Sequence, residues 1–115
     1  MKKIITILIA ISIFTLVFDA YAQLQTGSML MDGWSAHQRL QRGRGYAEDS
    51  IADNFFLGYI AGVSDSFFFE IPAGVNLSQI GNIVGKYFDA HPEKLKESAA
   101  TLILDALKEA FPGKK

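Results

Sequence analysis

Residues 91–113 read HPEKLKESAATLILDALKEAFPG. Leu95, Ala99, Leu102, Ile103, Ala106, Leu107 and Ala110 recur at three- and four-residue steps, the period of a single helix face. Pro92 suits a first helical turn, where its missing N–H has no intrahelical partner, and Glu93 favours the positive end of a helix dipole. Pro112-Gly113 ends the pattern. A helix running from Pro92 to Ala110 is expected, and its apolar stripe requires other helices to cover it.

Working back along the chain, Asn76 with Gln79 three residues later reads as a capping box ahead of a stripe of Ile80, Ile83, Val84, Tyr87 and Phe88. Ser50-Ile51-Ala52-Asp53 has a similar form. Ile51, Phe55, Tyr59, Ile60, Val63 and Phe67 follow it at helical spacing. Gly58 and Gly62 lie on one face of that helix, and their helix-weakening cost is understandable if another backbone closes on them. A neighbouring helix is the expected occupant; a partner or ligand is the alternative. Ser28 is expected to cap a first helix to about Gln41, with Leu30, Trp34 and Leu40 inward, and Gly43-Arg44-Gly45 to break it. No segment alternates as a strand does. The fold class is all-α, a small four-helix domain with short connections.

The N-terminus is a separate matter. Met1-Lys2-Lys3, an apolar run from Ile4 to Phe18 and Ala20-Tyr21-Ala22 form the three parts of a secretory signal peptide. Residues 1–22 are expected to be removed after Ala22, leaving 23–115 as the helical domain in the periplasm of a bacterium. The apolar run is shorter than the roughly 20 residues a spanning helix needs, so no membrane anchor is expected after cleavage. Without Lys2, Lys3 and Asp19, nine Lys/Arg face eleven Asp/Glu. That balance gives no reason to expect a nucleic-acid partner, and the one local cluster is Arg39, Arg42 and Arg44. The chain has no cysteine, which excludes thiol catalysis, Cys-based zinc sites and an N-terminal lipid anchor on Cys.

Catalytic groups are sparse. The two histidines, His37 and His91, fall in different segments, and Ser35 and His37 point apart on a helix. Glu93 and Glu97 beside Lys94 and Lys96 read as a solvated face. Asp65, near the glycine face, is the carboxylate of most interest, with a capping or buried hydrogen-bonding role expected. The helical Gly58-Tyr59-Ile60-Ala61-Gly62 lacks the Lys-Ser/Thr of a phosphate loop. No enzyme, metal or cofactor is expected.

Taken in order, Leu57-Gly58-Tyr59-Ile60-Ala61-Gly62-Val63-Ser64-Asp65, Ile71-Pro72-Ala73-Gly74-Val75, Gln79, His91-Pro92-Glu93 and Ala106-Leu107-Lys108-Glu109-Ala110-Phe111-Pro112 resemble the Tai-type amidase immunity family of bacterial type VI secretion. The resemblance implies a small exported helical protein that protects a cell from a peptidoglycan-degrading amidase. It implies action by binding, often as a dimer that blocks the effector's cleft. Gly58, Tyr59, Gly62, Asp65, Pro72, His91, Pro92, Phe111 and Pro112 would then be structural motif residues. One departure stands out. The family commonly carries cysteines in these motifs; here Phe56 precedes Leu-Gly-Tyr, Glu70 precedes Ile-Pro and Gly113 follows Phe-Pro in their places. A disulfide contributes about 2–4 kcal/mol, so packing must offset its absence.

An inhibitor needs an exposed aromatic or arginine anchor. The expected contact is the loop of Phe68, Phe69 and Glu70, with a second contribution from Arg39, Arg42 and Arg44. The alternative is an envelope structural or chaperone-like helical module without a toxin partner.

Overall fold

A computed structural model describes residues 2–7 and 24–113. The apolar run from residue 8 onward and the expected cleavage site at Ala22 lie outside the described residues; residues 2–7 are helical. No helix among the described residues is long and apolar enough to cross a membrane.

Four α-helices make the body: α1 (Gly27–Gln41), α2 (Ala47–Ser66), α3 (Leu77–Ala90) and α4 (Ala99–Ala110), with a 3-10 turn at Pro92–Lys94. No strand occurs among the described residues, only an isolated bridge between Thr26 and Ser98. The all-α, four-helix expectation holds. α1 packs along α2, α3 along α4, and all four helices share one core. Its largest fully buried side chains include Phe56, Phe88, Leu30, Ile60, Leu102 and Ile103.

Local sequence sets the α3 start as expected. The Gln79 N–H donates to Asn76 Oδ1 at 2.9 Å, and the Asn76 N–H donates to Gln79 Oε1 at 2.8 Å. Two other starts differ from the sequence reading. α2 begins at Ala47 rather than Ser50, because the Asp49 carboxylate accepts the Tyr46 N–H at 2.9 Å one turn earlier. α4 begins at Ala99 rather than Pro92, because the intervening carbonyls are used elsewhere. The Leu95 carbonyl accepts both the N–H of Ser28 (2.8 Å) and its hydroxyl (3.1 Å), and the Glu97 carbonyl accepts the Gly27 N–H (3.1 Å). Ser28 therefore does not cap α1 through its side chain; the chain before α4 satisfies the first N–H groups of α1 instead.

The face of α2 is also rotated from expectation. Phe56, Ile60 and Val63 point inward, while Ile51, Phe55 and Phe67 are exposed. Close approach occurs elsewhere than at Gly58 and Gly62. A Cβ on Gly33 of α1 would fall 2.5 Å from Phe56 Cβ and 2.9 Å from the Ala52 carbonyl oxygen. One on Gly85 of α3 would run into the Trp34 ring, whose Nε1–H donates to Asp89 at 2.9 Å. A Cβ on Gly58 or Gly62 would meet nothing within 4 Å. The expected neighbouring helix is absent from that face of the described chain, and overpacking there is not a threat to this fold. The two glycines cost about 1 kcal/mol each relative to alanine, with no close packing within the chain to offset it.

Candidate functional site

The end of α2 is built in an unusual way. Phe67 is its C-cap, and Phe68 follows in the left-handed region at φ 53°. The Phe68 N–H donates to the Asp65 carbonyl at 3.1 Å and the Phe69 N–H to the Ser64 carbonyl at 2.9 Å. This is the paired hydrogen-bond pattern of a Schellman termination, which normally takes glycine at the left-handed position. A β-carbon there costs roughly 1–2 kcal/mol. The Phe68 ring is 90 % exposed, so it offsets none of that cost by burial. Phe69, next along, is half-buried and packs against the core.

Phe68 stands at the lip of a cavity of about 650 Å³. Phe67, Phe69, Ile71 and Pro72 line one side, and Lys108, Phe111 and Pro112 at the end of α4 line the other. The loop is returned to α3 by a turn in which the Val75 N–H donates to the Pro72 carbonyl at 3.2 Å, with Gly74 at φ 87°. Glu70 and Gly113, which stand where the family resemblance implies cysteines, line this same cavity. Phe56 at the third such position is fully buried, packed beside Trp34 and His37 with ring centroids 6.2 and 6.1 Å apart. Aromatic burial thus fills the Phe56 position, while the other two border open space.

The arginines expected to contribute lie at the opposite end of α2. Arg39 grips Asp49 through two hydrogen bonds, 3.1 Å from Nε and 2.7 Å from Nη2. The hydrogen bond from this guanidinium, then that from the Tyr46 N–H, lowers the Asp49 pKa to about 2. Arg39 holds the α1–α2 pair together. Arg42 caps α1 and Arg44 is exposed in the connection. The 20 residues of α2 separate this end from Phe68 by about 30 Å, so the two groups do not form one patch.

The motif residues take varied positions. Tyr59 is half-buried against Phe55, with ring centroids 6.3 Å apart. Asp65 is exposed near the end of α2, which removes the buried one of the two roles expected of it, capping or buried hydrogen bonding. His91 caps α3 and its ring lies 4.2 Å from that of Tyr87, while Pro92 opens the 3-10 turn.

One cluster escaped the sequence reading. His37 Nδ1 lies 2.7 Å from Asp53, and His37 Nε2 lies 3.4 Å from the Ser78 hydroxyl. A carboxylate only accepts, so the proton between the first pair sits on Nδ1. The order Ser–His–Asp resembles a hydrolytic relay, but the imidazole is 3 % exposed and lies beside Trp34 and Phe56. Gln41 Nε2 also donates to the Ser78 hydroxyl at 3.2 Å. The cluster is a polar staple joining α1, α2 and α3. Nothing in the spacing of residues 37, 53 and 78 signals it. Among the described residues, no group of three or more His, Asp or Glu side chains is placed to hold a metal ion.

A family model described as Rap1a immunity proteins matches residues 35–113, from the second half of α1 through the far wall of the cavity. No curated protein and no solved structure matches the chain.

Proposed function

Because the chain belongs to the Rap1a immunity protein family, a family of non-catalytic proteins, we propose that it protects its cell by binding a peptidoglycan-degrading amidase of type VI secretion and occupying the enzyme's substrate cleft. Inhibition takes place in the periplasm, after export and removal of residues 1–22. The contact is the loop from Phe68 to Glu70, and Phe68 is the anchor.

The observation that carries this reading is the exposed ring of Phe68 on a left-handed backbone. Glycine would serve the fold better at that position, and backbone strain held without a folding benefit marks functional sites. Exposed aromatic side chains beside a concave apolar wall supply most of the energy in many protein interfaces. The separation of Arg39, Arg42 and Arg44 from this loop makes them rim or structural residues rather than part of the anchor.

The test uses a peptidoglycan-degrading amidase effector of type VI secretion. Its cleavage of purified cell wall is followed with increasing amounts of the immunity protein, and complex formation is read by co-elution. Cleavage is expected to stop near stoichiometric addition, and Phe68→Ala to weaken inhibition. Normal wall cleavage in the presence of excess protein overturns the proposal.

A further inference from the structure

Besides joining three helices, the polar staple holds a hydroxyl, a base and an orienting carboxylate in the order that acyl transfer uses. Asp53 accepts a hydrogen bond from His37 Nδ1–H at 2.7 Å, so Nε2 carries a lone pair, and it faces the Ser78 hydroxyl at 3.4 Å. That separation is long for a hydrogen bond, as is common in resting sites. Gln41 Nε2 donates to the same hydroxyl at 3.2 Å. The Ser78 oxygen thus accepts from Gln41, and its one hydrogen is left for His37. Ser78 and Asp53 are half-buried and Gln41 is exposed, so the hydroxyl borders solvent while the imidazole does not. Ser78 is also the second residue of the 14-residue α3. The Gln79 N–H is used by Asn76, but Leu77 and Ser78 carry first-turn N–H groups, which have no intrahelical acceptor. This positive helix end lies beside the Ser78 side chain, where an acyl oxygen would gain negative charge.

We infer that Ser78 is a site of covalent acylation by activated esters, with His37 as the base and Asp53 as a positioning residue. In the step, Ser78 Oγ bonds to the ester carbonyl carbon and its proton passes to His37 Nε2. The bond from that carbon to the leaving oxygen breaks. The leaving oxygen keeps the electron pair, takes the proton from Nε2 and departs as the alcohol. The product is an ester of Ser78. Hydrolysing it would need a water beside Nε2, and the packing denies one that place. The His37 ring is 3 % exposed and lies beside Trp34 and Phe56, with centroids 6.0 and 6.1 Å away. The backbone of α3 passes so near that a Cβ on Gly81 would lie 3.5 Å from Nε2. The acyl group therefore stays, and the protein is modified once rather than turning substrate over. This reactivity is independent of the Phe68 loop, which follows the other end of α2.

The absence of cysteine removes the competing thiol from the test. The purified protein is exposed to a fluorophosphonate, where Ser78 Oγ bonds to phosphorus and fluoride leaves, and the labelled residue is read by peptide mass spectrometry. Ser78 is expected to react ahead of Ser50 and Ser66, which are exposed and have no histidine partner among the described residues. With p-nitrophenyl acetate, a burst of p-nitrophenol is expected that Ser78→Ala abolishes, with no steady turnover after it. Asp53→Asn offers a donor to Nδ1 and moves the ring proton to Nε2. It is expected to slow labelling at least about tenfold while the helical circular dichroism stays unchanged. Preferential labelling of Ser50 or Ser66 overturns the inference, and this comparison decides alone if Asp53→Asn does not fold. A folded Asp53→Asn protein that reacts as fast as wild type also overturns it. So does release of p-nitrophenol from wild type that continues past the burst and is lost in Ser78→Ala.

Discussion

Replacing Phe68 with glycine should separate folding from binding. The native backbone there is left-handed, at φ 53°, and the ring is 90 % exposed. Removing the β-carbon relieves roughly 1–2 kcal/mol of steric cost. The added freedom of glycine in the unfolded chain takes back about 0.4–1 kcal/mol. No buried area is lost, so the net effect is a stabilisation of about 0.5–1 kcal/mol. For a domain of this size that raises Tm by about 2–8 °C. Thermal and urea unfolding followed by circular dichroism read the change. The same variant loses its anchor, which as a hot spot is worth at least about 2 kcal/mol of affinity, or roughly 30-fold. Phe68→Ala provides the control: it keeps the strain, leaves Tm nearly unchanged and loses the same affinity. A Phe68→Gly protein that melts lower than wild type would show that the ring supports the fold. One that is more stable and still inhibits fully would remove Phe68 from the interface.

Further outcomes follow from the packing. Gly85→Ala forces a methyl into the Trp34 ring, which is held by its bond to Asp89, and should cost about 1–3 kcal/mol, seen as a Tm fall of several degrees. Phe56→Ala empties a fully buried site in the core and should cost about 3–5 kcal/mol in urea unfolding. The Asp49 pKa is lowered to about 2 in the fold from an ordinary 3.8, so its ionised form stabilises the protein above pH 4. That contribution is lost as pH falls from about 4 towards 2. Asp49→Asn should lower stability at neutral pH and flatten this part of the acid profile, measured as Tm against pH.

The turns and two of the helices were legible because their signals are local. Asn76 and Gln79 cap α3 through groups three residues apart, and Ile80, Val84, Tyr87 and Phe88 share its inward face whatever lies opposite. The exposure of part of the Phe67–Phe69 run was legible in a similar way, since three consecutive aromatics cannot all enter one core. The left-handed backbone of Phe68 was not, because its neighbours in sequence carry no glycine to announce it. The staple of His37, Asp53 and Ser78 was invisible because its members come from three helices.

By itself the sequence determined that the chain is helical, where most breaks fall, and which family it resembles. Periodicity, prolines and capping pairs act within a turn or two of the backbone. Tertiary structure decided which side of α2 faces inward. Phe55 and Phe56 are neighbours about 100° apart on that helix, and periodicity favours neither. The chosen face carries Asp49 and Asp53, which look unsuited to burial until Arg39 and His37 of α1 meet them. Those partners, distant in sequence, make the polar face affordable and leave Ile51, Phe55 and both glycines on the outside.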